Sequence, residues 1–324
     1  MTYVLDLKRL WDDRTPVTAS QRRAAANVHL DPRQRVVSVI VVIQNDDLCF
    51  IPTLHSVLSQ LMVRELIVVN TLQSPAVEEA LTHFVHQHPR TILVSGHKAS
   101  GLAGAYNLGV QYASTPFLLF LDANCLLPKD TVLHLLATGV RKPRPWVIGA
   151  TEVKTPTDFV PTVPAFKKYF SKLTQNNVPE VSLPGGGHYA HVVPSQCILI
   201  PTPTFAELKG LDKRCYHTTF HWDLCLRVHE MGGSVYRAKG VVLVINQPQI
   251  SGFRALFTKE WQSFQGWNRF YQKNFSKLTN VFSAGYFYGA LTLMSCLSFC
   301  RKAAQHLGKC LPSVVASPVR NRGT

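Results

Sequence analysis

The apolar residues of this chain fall into short continuous runs that alternate with longer helical patterns. Val36–Ile43 is an almost unbroken β-branched run, which is typical of a strand covered on both faces. Similar runs follow at 65–69, 91–95 and 117–121, and helical patterns separate them at 51–60, 75–87 and 101–113. Strands and helices that alternate at this spacing predict right-handed βαβ units and therefore a parallel sheet.

The pattern loosens after Pro145. It predicts strands at 146–150, 197–200, 234–237 and 241–245, loops over 154–195, a helix at 222–231 and a basic, aromatic, amphipathic helix at 253–275. Gly232-Gly233 is the predicted stop of the 222–231 helix. We therefore expect three regions: a polar extension over 1–35 with a short helix near 21–28, an α/β domain over 36–250, and a helical tail over 251–324.

Charge is concentrated in that tail. The chain carries a formal charge of +15, and residues 251–324 contain ten Lys or Arg residues against one acid, Glu260. Such an excess favours an anionic partner: lipid head groups, nucleic acid or a diphosphate ligand. A purely solubilising role is the alternative.

An uncharged stretch, Leu278–Cys300, lies between Lys277 and Arg301-Lys302. Its length would allow a single span, but polar residues dilute it and both flanks are basic. We expect an interfacial helix on the inner face of a membrane, with a helix packed on the domain as the alternative.

The charged residues near the N-terminus, Asp6, Lys8 and Arg9, argue against a secretory signal. The eight cysteines lack the spacing of a zinc site, which indicates reduced thiols in the cytoplasm.

Polar residues follow each of the first four predicted strands. They are Gln44-Asn45-Asp46, Asn70-Thr71, Gly96-His97-Lys98 and Asp122-Ala123-Asn124. Each group taken alone consists of residue types that are common in turns. Because parallel strands end at the same edge of a sheet, four groups together indicate a ligand site there.

Several segments resemble family 2 glycosyltransferases, with the order and spacing of that family. The segments are 38–45, 65–70, the Gly/Asn-rich stretch 101–109, the strand ending in Asp122-Ala-Asn124, Gly210-Leu-Asp212 and Trp222–Arg227. The resemblance implies a GT-A, Rossmann-like α/β fold with a mostly parallel central sheet flanked by helices. Rhamnosyltransferase-like members look nearest.

The resemblance also implies a function. In that family an acceptor hydroxyl displaces a nucleoside diphosphate from a sugar with inversion, which requires a general base and a divalent cation, Mg²⁺ or Mn²⁺. The implied partners are a nucleoside-diphosphate sugar and a glycan or lipid-linked acceptor of cell-envelope polysaccharide or glycolipid synthesis. The implied donor-site residues are Asn45, Asn70, Lys98, Gly101, Asn107, Asp122 and Asn124, with Asp122 and Asn124 also holding the metal.

The chain departs from the family pattern at four places. Asn stands for Asp at 70 and at 124, Phe220-His221 replaces an acidic pair, and Asn246-Gln247 replaces a histidine. A neutral amide ligand would hold the metal weakly or make it dispensable. His221 falls where the family has its catalytic carboxylate, and stacking on Trp222 is its structural alternative. Asp223 is the second candidate base, or else it stabilises the helix start and pairs with Arg227.

Two other functions remain open at this point. The departures would also suit an inactive relative that serves as a binding or scaffold subunit, which is the alternative to the enzyme. The charge and the interleaved aromatic residues would suit nucleic-acid binding, but the chain lacks a recognition motif for it, and we expect no nucleic-acid partner.

Overall fold

The computed structural model describes residues 36–46, 48–139, 145–154, 187–215, 219–245 and 253–274, and eight helical residues between 288 and 300. Several predictions lie outside the described residues. They concern the extension 1–35 with its short helix, most of the loops over 154–195, the substitution at 246–247 and most of the uncharged stretch 278–300.

The described strands form one mixed sheet. They are β1 Val37–Ile43, β2 Val63–Asn70, β3 Thr91–Ser95, β4 Phe117–Asp122, β5 Cys125–Leu126, β6 Trp146–Lys154, β7 Gly187–Tyr189, β8 Cys197–Pro201 and β9 Ser234–Ile245. Their order is β3-β2-β1-β4-β8-β6-β9-β5, and β7 also pairs with β9. Strands β3, β2, β1 and β4 are mutually parallel, β8 is antiparallel to both of its neighbours, and β6 and β9 are parallel. The α/β class with a mostly parallel central sheet is therefore confirmed.

Seven α-helices are described. They are α1 Ile51–Leu58, which follows a 3₁₀ turn at Leu48–Phe50, α2 Pro75–Gln87, α3 Gly101–Val110, α4 Thr131–Gly139, α5 Thr202–Glu207, α6 Phe220–Glu230 and α7 Phe253–Asn274. The pattern did not predict α4, β5, β7 or α5. The two strands predicted at 234–237 and 241–245 are the single strand β9, because a register shift against β6 absorbs the intervening residues.

Helices cover both faces of the sheet. Alternate residues of β1 point to opposite sides: Ile40 and Val42 face α3, α6 and α7, whereas Val39 and Val41 face α1, α2 and α4. Since all seven residues of β1 are buried, the expectation of a strand covered on both faces is confirmed. The sheet thus presents its ends, and not its faces, to a ligand.

Helix α7 packs on the domain through its C-terminal half. Trp267, Phe270 and Tyr271 are buried in the same cluster as α3 and α6. None of the helices in the described part of the chain combines the length and the apolar character needed to cross a bilayer.

Candidate active site

Four strand ends meet at one edge of the sheet. Ile43 pairs with Asn70, Asn70 with Ser95, and Val42 with Asp122, so the carboxyl ends of β1–β4 are in step. Neighbouring strands lie about 4.8 Å apart. The polar groups that follow these strands therefore line a common edge, as the parallel arrangement requires.

Asp122 and Asn124 form the turn that ends β4. Asp122 Oδ1 accepts a hydrogen bond from the Asn124 N–H at 2.8 Å, and the Asp122 N–H donates to the Gln196 carbonyl at 2.9 Å. Both side chains are half-buried. A carboxylate and an amide oxygen are hard ligands of the kind that Mg²⁺ and Mn²⁺ take, so the pair fits a divalent cation.

Tyr106 of α3 lies behind this turn. Its hydroxyl donates to the Leu121 carbonyl at 3.1 Å, and its ring packs on Phe120. Burial and the negative charge of Asp122 raise the pKa of Tyr106, which keeps the phenol neutral. Tyr106 thus fixes the end of β4 without adding a second negative charge.

The other predicted donor-site residues differ in their surroundings. Asn70 is buried, and its Oδ1 accepts the Leu72 N–H at 3.0 Å, so its side chain shapes the turn after β2. Gly96 lies against that turn, where a Cβ would stand 2.6 Å from Val69 Cγ1. Asn45 and Lys98 are exposed. Both belong to the exposed part of this edge, together with Asp46 and His97.

Asn107 joins α3 to the loop before α6. Its Nδ2 donates to the Leu211 carbonyl and its Oδ1 accepts the Leu211 N–H, both at 2.8 Å. Gly210 has φ +76°, and a Cβ there would meet Asn107 Oδ1 at 2.8 Å. Gly101, at the start of α3, also has positive φ. The contacts of Asn107 described here are structural, and a nucleotide contact for it stays a prediction.

His221 lies in the first turn of α6 between two aromatic rings. Its ring centroid is 5.6 Å from that of Phe220 and 6.1 Å from that of Trp222. Its Nδ1 is buried and has no hydrogen-bond partner among the described residues. Burial lowers the pKa of His221 to about 3, away from the ordinary value assumed from sequence, so the imidazole is neutral at pH 7.

Asp223 is fully buried and ion-paired twice. Its Oδ2 lies 2.8 Å from Arg227 Nε, and its Oδ1 lies 2.6 Å from Lys273 Nζ of α7. The pairing with Arg227 is the i,i+4 contact that the helix-start interpretation of Asp223 predicts. Lys273 was not predicted, since no sequence spacing connects positions 223 and 273.

Lys273 also reaches Asp212, whose carboxylate lies 3.1 Å from Nζ. Burial alone would raise the pKa of Asp212, but hydrogen bonds from the Arg214 N–H and side chain and from Lys273 lower it to about 2. The ligand atoms of Asp212, Cys215 and Asp223 lie within 4.8 Å of one another, a spacing that would also suit a metal ion. Lys273 supplies the positive charge there, and burial, with both carboxylates nearby, raises the pKa of Cys215 to about 12.

The parallel strands with their Asp-x-Asn turn, continued by β8, β6 and β9, define a glycosyltransferase fold of the GT-A class. Residues 38–190 match the model of glycosyl transferase family 2.

Two solved structures share this fold. Mannosyltransferase PcManGT from Pyrobaculum calidifontis, in complex with GDP-Man and Mn²⁺, superposes with a TM-score of 0.56 at 16% identity, over 89% of this chain and 86% of that one. GalNAc-T7 with UDP, GalNAc and Mn²⁺ gives 0.54 at 16% identity, over 67% of this chain and 45% of that one. A search of curated proteins found no match.

Proposed function

We propose that this chain transfers a sugar from a nucleoside-diphosphate sugar, with inversion, to a glycan or lipid-linked acceptor of cell-envelope polysaccharide or glycolipid synthesis. The Asp122-Ala-Asn124 turn carries this proposal, because it places a carboxylate and an amide at the edge where a parallel sheet binds ligands. The match of residues 38–190 to the family 2 model supports the glycosyl transfer role.

The donor side has the charges that a diphosphate needs. Lys98 is exposed at the same edge and would face the phosphates, while Asp122 and Asn124 would hold Mg²⁺ or Mn²⁺. The metal, when bound, neutralises the charge that grows on the leaving diphosphate. Both solved relatives contain Mn²⁺, which supports a divalent cation here. With Asn at 124, we expect weaker metal binding than a second carboxylate would give.

On the acceptor side we assign proton transfer to His221. The acceptor oxygen bonds to the anomeric carbon, the bond from that carbon to the diphosphate oxygen breaks, and the hydroxyl proton passes to the neutral imidazole. Asp223 is a poorer candidate, since Arg227 and Lys273 occupy both of its oxygens in a buried position. We therefore assign Asp223 to the structure of the α6 start.

The location is part of the proposal. A basic tail beside an uncharged stretch supports a cytoplasmic protein held at the inner face of a membrane. Lipid-linked acceptors are available at such a surface.

Calorimetry with a nucleoside diphosphate and Mn²⁺ tests the donor site. Asp122→Ala should weaken binding about tenfold or more, since one charge-assisted contact contributes ~1.5–3 kcal/mol. Glu79→Ala is the control, because it removes an exposed carboxylate from α2 and leaves Asp122 and Asn124 in place. Unchanged affinity in Asp122→Ala would remove Asp122 from the site.

One observation favours a second candidate function, an inactive relative that binds and does not turn over. His221 stands where the resemblance to family 2 implies a catalytic carboxylate. Its pKa of about 3 makes it a weak base. Wild-type protein that binds nucleoside diphosphates but transfers no sugar from any common donor would establish this second function.

A further inference from the structure

Helix α7 exposes aromatic rings along its N-terminal half. Phe257 is 58% exposed and Trp261 51% exposed. Their rings are nearly parallel with centroids 6.5 Å apart, and Trp261 stacks in the same way on Phe264 at 5.6 Å. This half of α7 therefore presents aromatic side chains to the exterior, whereas Trp267, Phe270 and Tyr271 of its C-terminal half are buried.

The described residues between 288 and 300 lie beside α7. Tyr288 donates a hydrogen bond to Asn268 Oδ1 at 2.9 Å, and the Phe299 ring meets the Phe257 ring edge-on at 6.2 Å. The residues of this segment that point outward are Gly289, Thr292, Leu293, Cys296 and Cys300. We call Phe257, Trp261, Leu293, Cys296 and Cys300 the outer apolar face.

The outward residues follow helical spacing, and all of those described are uncharged. The sequence from Leu278 to Cys300 contains no Asp, Glu, Lys or Arg. A helix that lies on a domain in water normally presents charged residues outward. Here Leu293 is 61% exposed instead. An apolar surface of this kind marks a site of contact with another apolar phase or partner.

The net charge of the tail indicates which kind of partner fits the outer apolar face. Residues 251–324 carry ten Lys or Arg residues against one acid, and the whole chain is +15. A second copy of the chain would bring like charge against like. An anionic bilayer offers negative head groups to the basic residues, and Trp and Phe rings are favoured at the boundary between head groups and acyl chains.

We propose that the outer apolar face lies on an anionic lipid bilayer, with Phe257 and Trp261 at the depth of the head groups. This inference rests on the membrane attachment in the proposed function and names the surface that makes it. It also sets the orientation of the acceptor side. Trp222, beside His221, packs on Trp267 at 5.4 Å and on Phe270 at 6.5 Å, so the helix that carries the face also supports the α6 start.

Vesicle sedimentation of the full chain tests the proposal. Wild type should bind vesicles of phosphatidylcholine with phosphatidylglycerol at least tenfold more tightly than phosphatidylcholine alone, and less tightly as salt rises. The double variant Phe257→Ser/Trp261→Ser should lose about tenfold or more of this affinity. Leu61→Ser/Tyr112→Ser is the matched control, since these side chains are 55% and 49% exposed elsewhere, and it should bind as wild type.

Three results would overturn the proposal: equal binding to both vesicle types, unchanged binding of the Phe257/Trp261 variant, or a dimer without vesicle binding that this variant dissociates in ultracentrifugation. If the double variant is not folded, Leu293→Asp repeats the test.

Nucleoside diphosphate titrations separate the failure of this proposal from the failure of the proposed function. We expect the Phe257/Trp261 variant to keep wild-type donor affinity, whereas loss of donor binding in Asp122→Ala leaves vesicle binding intact.

Discussion

At the scale of single residues, His221 is the side chain to which we assign proton transfer. It stands where the family has a carboxylate, and two aromatic neighbours replace the polar surroundings that a carboxylate would need. Burial lowers its pKa to about 3, so the ring carries no charge over the physiological range. The same burial makes it a weak proton acceptor.

If His221 takes the acceptor proton, His221→Ala should lower turnover about 10²–10⁴-fold. Turnover should stay level from pH 8 to 5 as far as His221 is concerned, because its protonation begins only near pH 3. His221→Asp restores the family's carboxylate and should keep or raise turnover. Sugar release from a nucleotide-sugar donor, measured across pH, checks all three. Wild-type turnover in His221→Ala would remove His221 from the chemistry.

The same burial affects stability. The unfolded chain binds a proton at His221 near pH 6.5, whereas the folded chain does not until about pH 3. Protonation therefore favours the unfolded state, and the free energy of unfolding should fall as the pH drops below about 6.5. His221→Ala should flatten this fall in urea denaturation, which separates His221 from the other acid-sensitive groups.

At the scale of elements, α3 lies unusually close to the sheet. Gly109 faces β1 and β2, and a Cβ there would stand 2.5 Å from Ile40 Cγ2 and 3.0 Å from Val69 Cγ2. The strand carrying Ile40 is buried on both sides and has no room to move. The glycine in the Gly/Asn-rich stretch is thus a packing requirement, and it brings Asn107 within reach of Leu211.

Gly109→Ala should therefore lower the free energy of unfolding by about 1–3 kcal/mol, as other overpacked cores do. Gly104→Ala is the control on the same helix, because the nearest atom to its added Cβ is Ser100 Cβ at 3.4 Å. That variant should be neutral or gain up to about 1 kcal/mol from helix propensity. Urea denaturation of both variants makes the comparison, and equal stabilities would contradict the packing argument.

The elements that the sequence could predict are those with long, regular patterns. The bounds of α2 and β3 agree with the pattern, because each has a periodic apolar set and clear flanking turns. Helix α5 has six residues, too few for a helical period to show, and β7 has three. The pattern predicts two strands at 234–237 and 241–245, whereas the pairing of β9 with β6 continues past a register shift.

At the scale of the whole molecule, residues far apart in sequence complete the site region. The edge formed by β1–β4 follows from the parallel topology and was predictable. The Asn107–Leu211 pair spans 104 residues and the Asp223–Lys273 pair spans 50, and neither leaves a trace in local spacing. Burial of His221 also depends on α6 packing, which composition does not reveal.

The Asp223 ion pairs join α6 to α7. Asp223→Asn leaves Arg227 without a carboxylate partner and leaves Lys273 with Asp212 alone, and it should cost about 3–5 kcal/mol of unfolding free energy. Glu79→Gln, on the exposed side of α2, should change stability by less than about 0.5 kcal/mol. Chemical denaturation measures both. A loss of turnover in Asp223→Asn at unchanged stability would instead make Asp223 the base.

The bond between Asp223 and Lys273 also bears on how the chain folds during synthesis. The ribosome adds about 5–20 residues per second, so Lys273 follows Asp223 by roughly 2.5–10 seconds. Over that interval Arg227 has been made but Lys273 has not, so Asp223 has one of these two ion-pair partners. Helix α7 is also incomplete and cannot yet cover α6. The region around His221 therefore reaches its final form only after α7 is made. A nascent chain halted before residue 267 lacks both of the α7 rings on which Trp222 packs, and it should expose Trp222 to solvent or chaperones.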